Sequence, residues 1–448
     1  MAIRGFNSSK RSAAGAPALV PDASQQAILD LADGASAAVA GAPGTGKTST
    51  VLELVADRIG SRGYDPAEVL VLAPNRRAAA TLRDRLALRV GVPTTGPLAR
   101  TLSSVAFSIV GSRASLDGRE QPRLLTGAEQ DTVIAELLAW HEADGTGPDW
   151  PEPLVAEVRR LKGFRTELRE LMMRTVEAGL RPESLARLGR EQGRPEWAAA
   201  GGFLSEYEQV VDSFGADYLD SAEIVAQATT ELSRGFGLDG LRLVVVDDFQ
   251  EQGPSAIALL RSLARRGVAV LAFGDPDVAS STFRGSDPAA LAGLGAALGV
   301  PVQRLSLSTS YRHGDGIRSL VRQVTERVGA AGAIAHRSAI AAERDDFLLG
   351  DTPPIVRIEA PSNAAEHQQI ARVLREHHLF GGIPWSRLAV IVRSGATIPV
   401  LARALALAEV PTTTPAGGRT IRAEFASAQF LSAVAFVLGR TDATPELI

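Results

Sequence analysis

Short apolar runs that alternate with amphipathic stretches predict strands followed by helices along most of the chain. Residues 37–40 are apolar and lead into a glycine-rich turn, after which residues 48–59 place apolar side chains at helical spacing. The same order recurs where the apolar run 69–73 precedes an Ala/Arg-rich helix at 76–88. Strands that alternate with helices in this way favour a parallel α/β sheet.

The hydrophobic pattern changes between residues 112 and 215. This stretch is rich in Arg, Glu and Leu, has helical periodicity and lacks a convincing strand, so we expect a helical insertion. Apolar strands then return at 241–246 and 268–273. A third α/β stretch is predicted from residue 302 onward, with strands at 355–358 and 388–392 and helices at 364–378, 398–408 and 430–438. No polar tail follows the last helix, and we expect this final region to be incomplete.

Composition narrows the possible functions. The 448 residues are 45% apolar and 22% charged, which is ordinary for a globular protein of two or three domains. The net charge of −4 means that any nucleic-acid site must be a local groove lined with Arg. The absence of Cys excludes disulfides, iron–sulfur clusters and thiol catalysis. No apolar run has the length of a membrane span, so we expect a soluble cytoplasmic protein.

A phosphate-binding loop is predicted between the first strand and the first long helix. The segment fits the pattern G-x-x-x-x-G-K-[ST] at every fixed position. In such a loop Lys47 would supply charge to the β- and γ-phosphates of ATP, and Thr48 would ligate Mg²⁺. A chance glycine-rich turn is the alternative, which the strand before and the helix after disfavour. The expected nucleotide-binding residues here are Gly41, Ala42, Pro43, Gly44, Thr45, Gly46, Lys47, Thr48 and Ser49.

Two acids follow the apolar strand at 244–246. A phosphate loop requires a carboxylate on a neighbouring strand to hold Mg²⁺ through water, and Asp247 is the candidate. Asp248 would then polarise the attacking water, although an ordinary acidic cap after a strand is the alternative interpretation. Lys47 and Asp247 are about 200 residues apart, which indicates a large insertion within one sheet.

Beyond the phosphate loop, several segments resemble motifs of superfamily 1A DNA helicases of the UvrD/Rep/PcrA type. Asp22-Ala23-Ser24-Gln25 resembles the motif whose Gln reads adenine, which makes Gln25 the candidate. Residues 73–85 resemble the motif that lies on single-stranded DNA and returns an Arg, here Arg85, to the nucleotide. The residues of that segment expected to contact DNA are Pro74, Asn75 and Arg76.

Further matches follow in the family's order. The element that touches DNA resembles Thr101-Leu102-Ser103-Ser104, with Thr101 and Ser103 as the expected contacts. Residues 217–220 resemble the element that re-enters the core, and 247–251 resemble the strand-end motif, which adds Gln250 to the nucleotide site. The coupling motif resembles residues 274–277 followed by Phe283 and Arg284, which would meet DNA. Ser310-Tyr311-Arg312 resembles Asn-Tyr-Arg, so Tyr311 would stack on adenine and Arg312 would act as an arginine finger.

The resemblance implies an ATP-dependent motor that moves on single-stranded DNA or a duplex junction, in DNA repair or recombination. ATP and Mg²⁺ would sit between two RecA-like cores and the chain would alternate between open and closed states. The implied parts are a flexible lead at 1–16, a first RecA-like core at 17–111 plus 216–300, a helical insertion at 112–215, and an incomplete second RecA-like core at 301–448.

Three departures from the family pattern suggest a weakened or partnered motor. The usual catalytic Glu is Asp248, one methylene shorter, and the coupling motif carries Val278 and Ser281 in place of Gln and Tyr. The family's last two motifs would lie beyond residue 448. The composition is similar to that of the motor subunits of actinobacterial helicase-nucleases of the AdnAB type, which work with a second subunit.

Two alternative hypotheses remain at this level. The chain could be a regulatory or structural subunit that binds ATP and DNA but hydrolyses little, or a P-loop ATPase that acts on protein.

A second open question concerns the insertion, where Lys162, Arg165 and Arg169 share a helical face. That face would either meet duplex phosphates or pair with the neighbouring acids Glu157, Glu167 and Glu170.

Overall fold

The computed structural model describes residues 19–214, 218–282, 285–332, 334–342, 353–413 and 434. The chain forms two compact units, Met1–Arg344 and Asp345–Ile448. The lead expected at 1–16 lies outside the described residues, and so does the helix expected at 430–438 except for Val434.

A parallel sheet of six strands organises the first unit. The strands occur in the spatial order β3-β2-β6-β7-β1-β8, and every neighbouring pair is parallel. The predicted α/β fold class, with a RecA-like sheet, is therefore confirmed. The strands are β1 (Ser36–Ala40), β2 (Val69–Ala73), β3 (Ala99–Thr101), β6 (Leu243–Val246), β7 (Ala269–Gly274) and β8 (Val302–Ser306).

Helices cover both faces of this sheet, which explains why its central strands are uninterrupted apolar runs. Every residue of β1, β2, β6 and β7 is buried. One face packs against α1, α2 and α3, and the other packs against α4, α10, α11 and α12. These helices are α1 (Ala23–Leu29), α2 (Lys47–Gly60), α3 (Arg76–Val90), α4 (Leu102–Leu116), α10 (Ser221–Ser233), α11 (Pro254–Arg265) and α12 (Leu294–Leu298).

The helical insertion is enclosed by a small pair of parallel strands, β4 (Arg123–Leu124) and β5 (Tyr218–Leu219). Its own core surrounds Phe203 and Ile134, both fully buried. The sequence placed the start of the insertion at residue 112, but α4 continues to Leu116 and packs on the sheet, and β4 was not anticipated. The helices are α5 (Gly127–Asp144), α6 (Ala156–Arg159), α7 (Lys162–Glu177), α8 (Pro182–Glu191) and α9 (Pro195–Asp212).

Residues 302–342 belong to the first unit, although the sequence assigned everything after residue 300 to a second core. β8 lies beside β1 in register, from Ser36 opposite Val302 to Ala40 opposite Ser306. The reason is that β1 would otherwise be an edge strand with unpaired backbone groups. The segment continues with β9 (Thr309–Ser310), α13 (Asp315–Thr325) and β10 (Ile340–Ala341), and β10 pairs with β9.

The second unit contains two of the predicted helices, α14 (Asn363–Leu379) and α15 (Ile398–Leu407). The strands expected at 355–358 and 388–392 do not form within the described residues. A strand needs a hydrogen-bonding neighbour, and neither segment has one there; Ile391, for example, is 95% exposed. Among the described residues of the whole chain, no helix combines the length and apolarity needed to cross a lipid bilayer.

Candidate nucleotide and DNA site

The phosphate loop joins β1 to α2 in a conformation that requires glycine. Gly44 and Gly46 have φ angles of +82° and +80°, in the left-handed region that side chains disfavour. Space is also restricted, since a Cβ on Gly44 would lie 2.8 Å from Cβ of Arg312, and one on Gly46 would lie 2.8 Å from Nε2 of Gln25. The loop is therefore shaped both by its own backbone and by the segments packed around it.

Lys47, the first residue of α2, is folded back over the loop. Its Nζ donates to the carbonyl oxygens of Gly41 at 2.7 Å and Ala42 at 3.3 Å, and lies 4.0 Å from Oδ2 of Asp275. Burial lowers the pKa of Lys47, while the charges of Asp275, Asp248 and Asp247 oppose that shift. The ammonium is thus held by carbonyl oxygens that a phosphate can replace.

Thr48 and Asp247 meet where α2 begins and β6 ends. The Thr48 hydroxyl donates to Oδ2 of Asp247 at 2.9 Å, whereas Oδ1 of Asp247 is buried with no hydrogen-bond partner in the described residues. Burial and the neighbouring Asp248 raise the pKa of Asp247 to about 6, despite the hydrogen bond from Thr48. A hydroxyl and a carboxylate with an unused oxygen fit Mg²⁺, which prefers hard oxygen ligands.

Asp248 is held in an unusual backbone conformation. Its φ of +50° lies in the left-handed region, which non-glycine residues seldom adopt. The side-chain amide of Gln250 donates to Oδ1 of Asp248 at 3.3 Å, and the Gln250 carbonyl accepts the backbone N–H of Asp275 at 2.9 Å. Gln250 therefore connects the carboxyl ends of β6 and β7, and it fixes Asp248 beside Asp247.

Gln25 and Tyr311 both contact the phosphate loop, and both are hydrogen-bonded to Asp22. Gln25 is fully buried in the capping box of α1, where its Oε1 accepts the N–H of Asp22, and its Nε2 lies 3.5 Å from the carbonyl oxygen of Thr45. The Tyr311 hydroxyl donates to Asp22 at 2.7 Å, and the Tyr311 N–H donates to the Gly44 carbonyl at 2.8 Å. Burial and the hydrogen bond to Asp22 raise the pKa of Tyr311 to about 12.

Arg312 lies in the same compact unit as the phosphate loop, not on a separate second core as the sequence implied. Ser310 donates to the Pro43 carbonyl at 3.1 Å, which anchors the segment directly over the loop. The positive charge of Arg312 is close enough to lower the pKa of Lys47. The structure therefore places Tyr311 and Arg312 beside the phosphate loop in the first unit, whereas the sequence assigned them to a second core.

The candidate DNA residues collect at one end of two neighbouring strands. Ala73 at the end of β2 lies opposite Thr101 at the end of β3, so the segments after both strands are adjacent. Asn75 caps α3 through the N–H of Ala78, and Thr101 caps α4 through the N–H of Ser104. Arg76 is exposed, and Pro74 and Ser103 are half-buried. Phe283 and Arg284 lie outside the described residues.

Arg85 is exposed on α3. The arginine that joins α3 to α2 is Arg89, whose guanidinium binds both carboxylate oxygens of Glu53. In the insertion, Arg165 pairs with Asp131 and Arg160 with Glu142, both acids of α5. The basic face is therefore partly neutralised, but by different acids from those that the sequence suggested.

Sequence reasoning missed a set of buried charges next to the phosphate loop. Asp277 accepts hydrogen bonds from His336 and Arg337, and Arg318 of α13 holds the backbone at residues 337 and 339. Asp275 and Asp277 both belong to the coupling motif, so the sequence did offer a signal for them. His336 and Arg337 carry none, because only the fold brings them to that motif.

Comparison with known proteins agrees with this geometry. The model of the UvrD/REP helicase N-terminal domain matches residues 22–295, which is more than half of the chain. The chain is also similar to DNA helicase IV of Escherichia coli (strain K12), with 24% identity over 315 residues that cover 63% of this chain and 44% of that protein. It thus spans less than half of the length of this relative. The phosphate loop, the strand-end acids and the family match together establish that the chain belongs to the UvrD/REP helicase family.

Proposed function

We propose that this chain is an ATP-dependent motor that couples hydrolysis to movement along single-stranded DNA during repair or recombination in the cytoplasm. The observation that carries the proposal is the convergence of Lys47, Thr48 and Asp247 at the ends of β1 and β6. Those groups come from positions about 200 residues apart, and they match what Mg²⁺-bound ATP requires.

Each residue has a role in this scheme. Lys47 leaves the loop carbonyls and neutralises the β- and γ-phosphates, while Thr48 and Asp247 hold Mg²⁺, which offsets phosphate charge when bound. Asp248 takes a proton from the attacking water, and Arg312 stabilises the charge that develops on the γ-phosphate. Gln25 and Tyr311 hold the adenine.

DNA is proposed to cross the carboxyl ends of β2 and β3. Arg76 and the polar groups of Asn75, Thr101 and Ser103 would contact the phosphate backbone, with little readout of sequence. The adjoining capping interactions keep these groups at helix N-termini, where anions are favoured.

The proposal is tested by measuring ATP hydrolysis with and without single-stranded DNA. We expect hydrolysis that DNA stimulates and that Lys47→Ala reduces at least about 100-fold, since the lysine contacts charge that builds up in the transition state. Arg187→Ala, which removes an exposed cation on α8 that only approaches Glu191 at 3.8 Å, is the matched control and should retain full turnover. An equal rate of ATP hydrolysis with and without single-stranded DNA would contradict the proposal.

Asp248 favours a second candidate, an ATP- and DNA-binding regulatory subunit with little hydrolysis of its own that works with a more active partner subunit. Its carboxylate is one methylene shorter than Glu, and its backbone is fixed by the left-handed turn and by Gln250. Val278 is 44% exposed in the coupling motif, where it offers no hydrogen bond to the γ-phosphate.

Asp248→Glu combined with Val278→Gln separates the two candidates. For a slow motor we expect the double variant to raise DNA-stimulated turnover about tenfold, because the base then reaches its water. Asp239→Glu, at an exposed Asp that precedes the start of β6, is the matched control. No gain in the repaired enzyme would favour the regulatory subunit.

A further inference from the structure

A buried row of charged groups connects the phosphate loop to the segment that follows α13. Oδ2 of Asp275 lies 4.0 Å from Nζ of Lys47, and Oδ1 of the same carboxylate lies 3.4 Å from Nε2 of His336. The same His336 nitrogen lies 2.9 Å from Oδ2 of Asp277, which Arg337 also binds. The Asp275, His336 and Asp277 side chains are each at most 3% exposed.

The charges in this row balance without a metal ion. Asp275, Asp277 and His336 are close enough together to bind a cation, but both oxygens of Asp277 already accept hydrogen bonds from the Arg337 guanidinium. A cation would have to displace that bidentate pair, which is among the stronger contacts that proteins form. The arrangement is therefore two ion pairs, Lys47 with Asp275 and Arg337 with Asp277, and His336 lies between them.

The position of His336 determines the role of its ring nitrogen. Nε2 faces two carboxylate oxygens, so it must carry a proton, because a lone pair in that position would be repelled by both. The hydrogen bond of Nε2 goes to Asp277, while Oδ1 of Asp275 lies 3.4 Å from the same nitrogen and accepts the N–H of Asp277 at 3.1 Å. Oδ2 accepts no hydrogen bond from the described residues and faces Lys47.

We propose that His336 is a positioning residue for Lys47, which it controls through Asp275. The partial positive charge of the Nε2–H group, 3.4 Å from Oδ1, attracts the Asp275 carboxylate and keeps Oδ2 at 4.0 Å from the ammonium, where the pair is not a tight contact. Lys47 is then held by the loop carbonyls and only loosely by Asp275, so it can move to the phosphates of ATP. This inference rests on the proposed binding of ATP at the phosphate loop.

Loss of the His336 donor has a definite consequence. A buried carboxylate that loses a neighbouring positive dipole gains most by approaching the nearest cation, which here is Lys47. Attraction between the two charges rises steeply at short distance in a buried site, so a tight Lys47–Asp275 pair competes with the phosphates. His336→Leu should therefore weaken ATP binding, and Asp275→Asn should remove the effect because an amide carries no charge.

The test is a set of equilibrium titrations of the full chain with Mg²⁺ and a fluorescent ATP analogue. We expect His336→Leu to raise the Kd about tenfold, equivalent to about 1.4 kcal/mol. His336→Gln, whose amide can still donate at that position, should remain within about twofold of the unaltered protein. In the Asp275→Asn background, His336→Leu should change the Kd by less than about twofold.

Two outcomes would overturn the role of His336. One is an unchanged Kd in His336→Leu, and the other is the same tenfold loss of affinity in the Asp275→Asn background, which would indicate a general structural effect.

If His336→Leu does not fold, His336→Asn replaces it, because the shorter Asn amide does not reach both carboxylates. Equal Kd values for His336→Asn and His336→Gln would contradict the proposal. If the Kd values follow the expected pattern but single-stranded DNA does not stimulate ATP hydrolysis, the proposed motor function is contradicted and the role of His336 is not.

Discussion

At the scale of single residues, the phosphate loop is held by its neighbours as well as by its own glycines. Gly44 accepts the Tyr311 N–H through its carbonyl, and its α-carbon faces the Arg312 side chain. A side chain at this position would collide with the segment that carries Tyr311 and Arg312. The nucleotide site is therefore sensitive to any change that separates the loop from that segment.

Substitution of Gly44 by Ala should reduce ATP affinity by at least about tenfold. The added Cβ would strain a left-handed backbone by about 1–2 kcal/mol and would also force Arg312 to move, since their Cβ atoms would be 2.8 Å apart. Gly34→Ala is the matched control, because Gly34 has a similar φ of +80° but no atom within 4 Å of the added carbon. Gly34→Ala should lower the stability of the fold and leave the ATP affinity unchanged. Equal ATP affinities in titrations of both variants would refute this account.

Residues whose chemistry is local were the ones that the sequence could predict. The pattern around Lys47 specifies a loop and its partners within a few positions, and the acids after β6 follow from a single apolar run. His336 could not be found, because a lone His carries no pattern and its partners in the coupling motif are about 60 residues away. Arg85, which a motif match assigned to the nucleotide, is exposed on α3, and its role stays a prediction.

At the scale of secondary-structure elements, the N-terminus of α10 concentrates negative charge where the chain returns from the insertion. Asp220 and Glu223 form its capping box, and each accepts a backbone N–H from the other end of the turn. Burial raises the pKa of Glu223 to about 7, and the adjacent charge of Asp220 adds to the shift. Ionised Glu223 therefore destabilises the folded protein at neutral and alkaline pH.

Glu223→Gln should stabilise the protein in a pH-dependent way. Because the pKa of Glu223 is higher in the folded protein than in the unfolded chain, the contribution of this residue to stability is full below about pH 4.5 and is lost as the pH rises through about 7. The neutral amide, which can still accept the N–H of Asp220, should increase the free energy of unfolding by about 2–3 kcal/mol at pH 8.5 but by at most about 1 kcal/mol at pH 5.

Urea unfolding at the two pH values measures this difference. Glu136→Gln, on an exposed position of α5, is the matched control and should show no such dependence on pH. A gain of equal size at pH 5 and pH 8.5 would mean that packing, and not the charge of Glu223, is responsible.

Helices and central strands were predicted well because their signals lie within the element. β2 was predicted at its observed bounds, α2 and α14 differ by one residue at each end, and α15 differs by one residue at its C-terminal end. β4 and the edge strand β8 were missed or misassigned, since a short strand is defined by its neighbour in the sheet. The runs at 355–358 and 388–392 have strand-like composition, yet composition alone does not supply a partner strand.

At the scale of the whole molecule, the first unit continues well past the point where the helicase family match ends. The match ends at residue 295, but β8 and α13 still belong to this unit. Leu307, which follows β8, is 1% exposed and packs in the core on the α2 side of the sheet. The fold of the first unit therefore requires residues that precede and include the Tyr311 segment.

A protein ending at residue 300 should be less stable than one ending at residue 344 by at least about 3 kcal/mol. The shorter protein leaves β1 at the sheet edge and lacks the buried Leu307 side chain, so part of the core is exposed to solvent. It also lacks the hydrogen bonds from Ser310 and Tyr311 to the loop. Guanidinium unfolding of the two proteins measures the difference. Equal midpoints would show that β8 is dispensable, and the domain boundary expected at residue 300 would then stand.

The two backbone contacts at Ala40 and Gly44, just before and within the phosphate loop, also constrain which mutations the gene can accept. Leu307 donates to Ala40 and Tyr311 donates to Gly44, so two stretches of equal length run side by side and are fastened at both ends. Substitutions within 307–311 can be accommodated, but a single inserted or deleted codon would shift Tyr311 out of step with the loop. Length in this stretch should consequently be far less variable among related sequences than the identity of its residues.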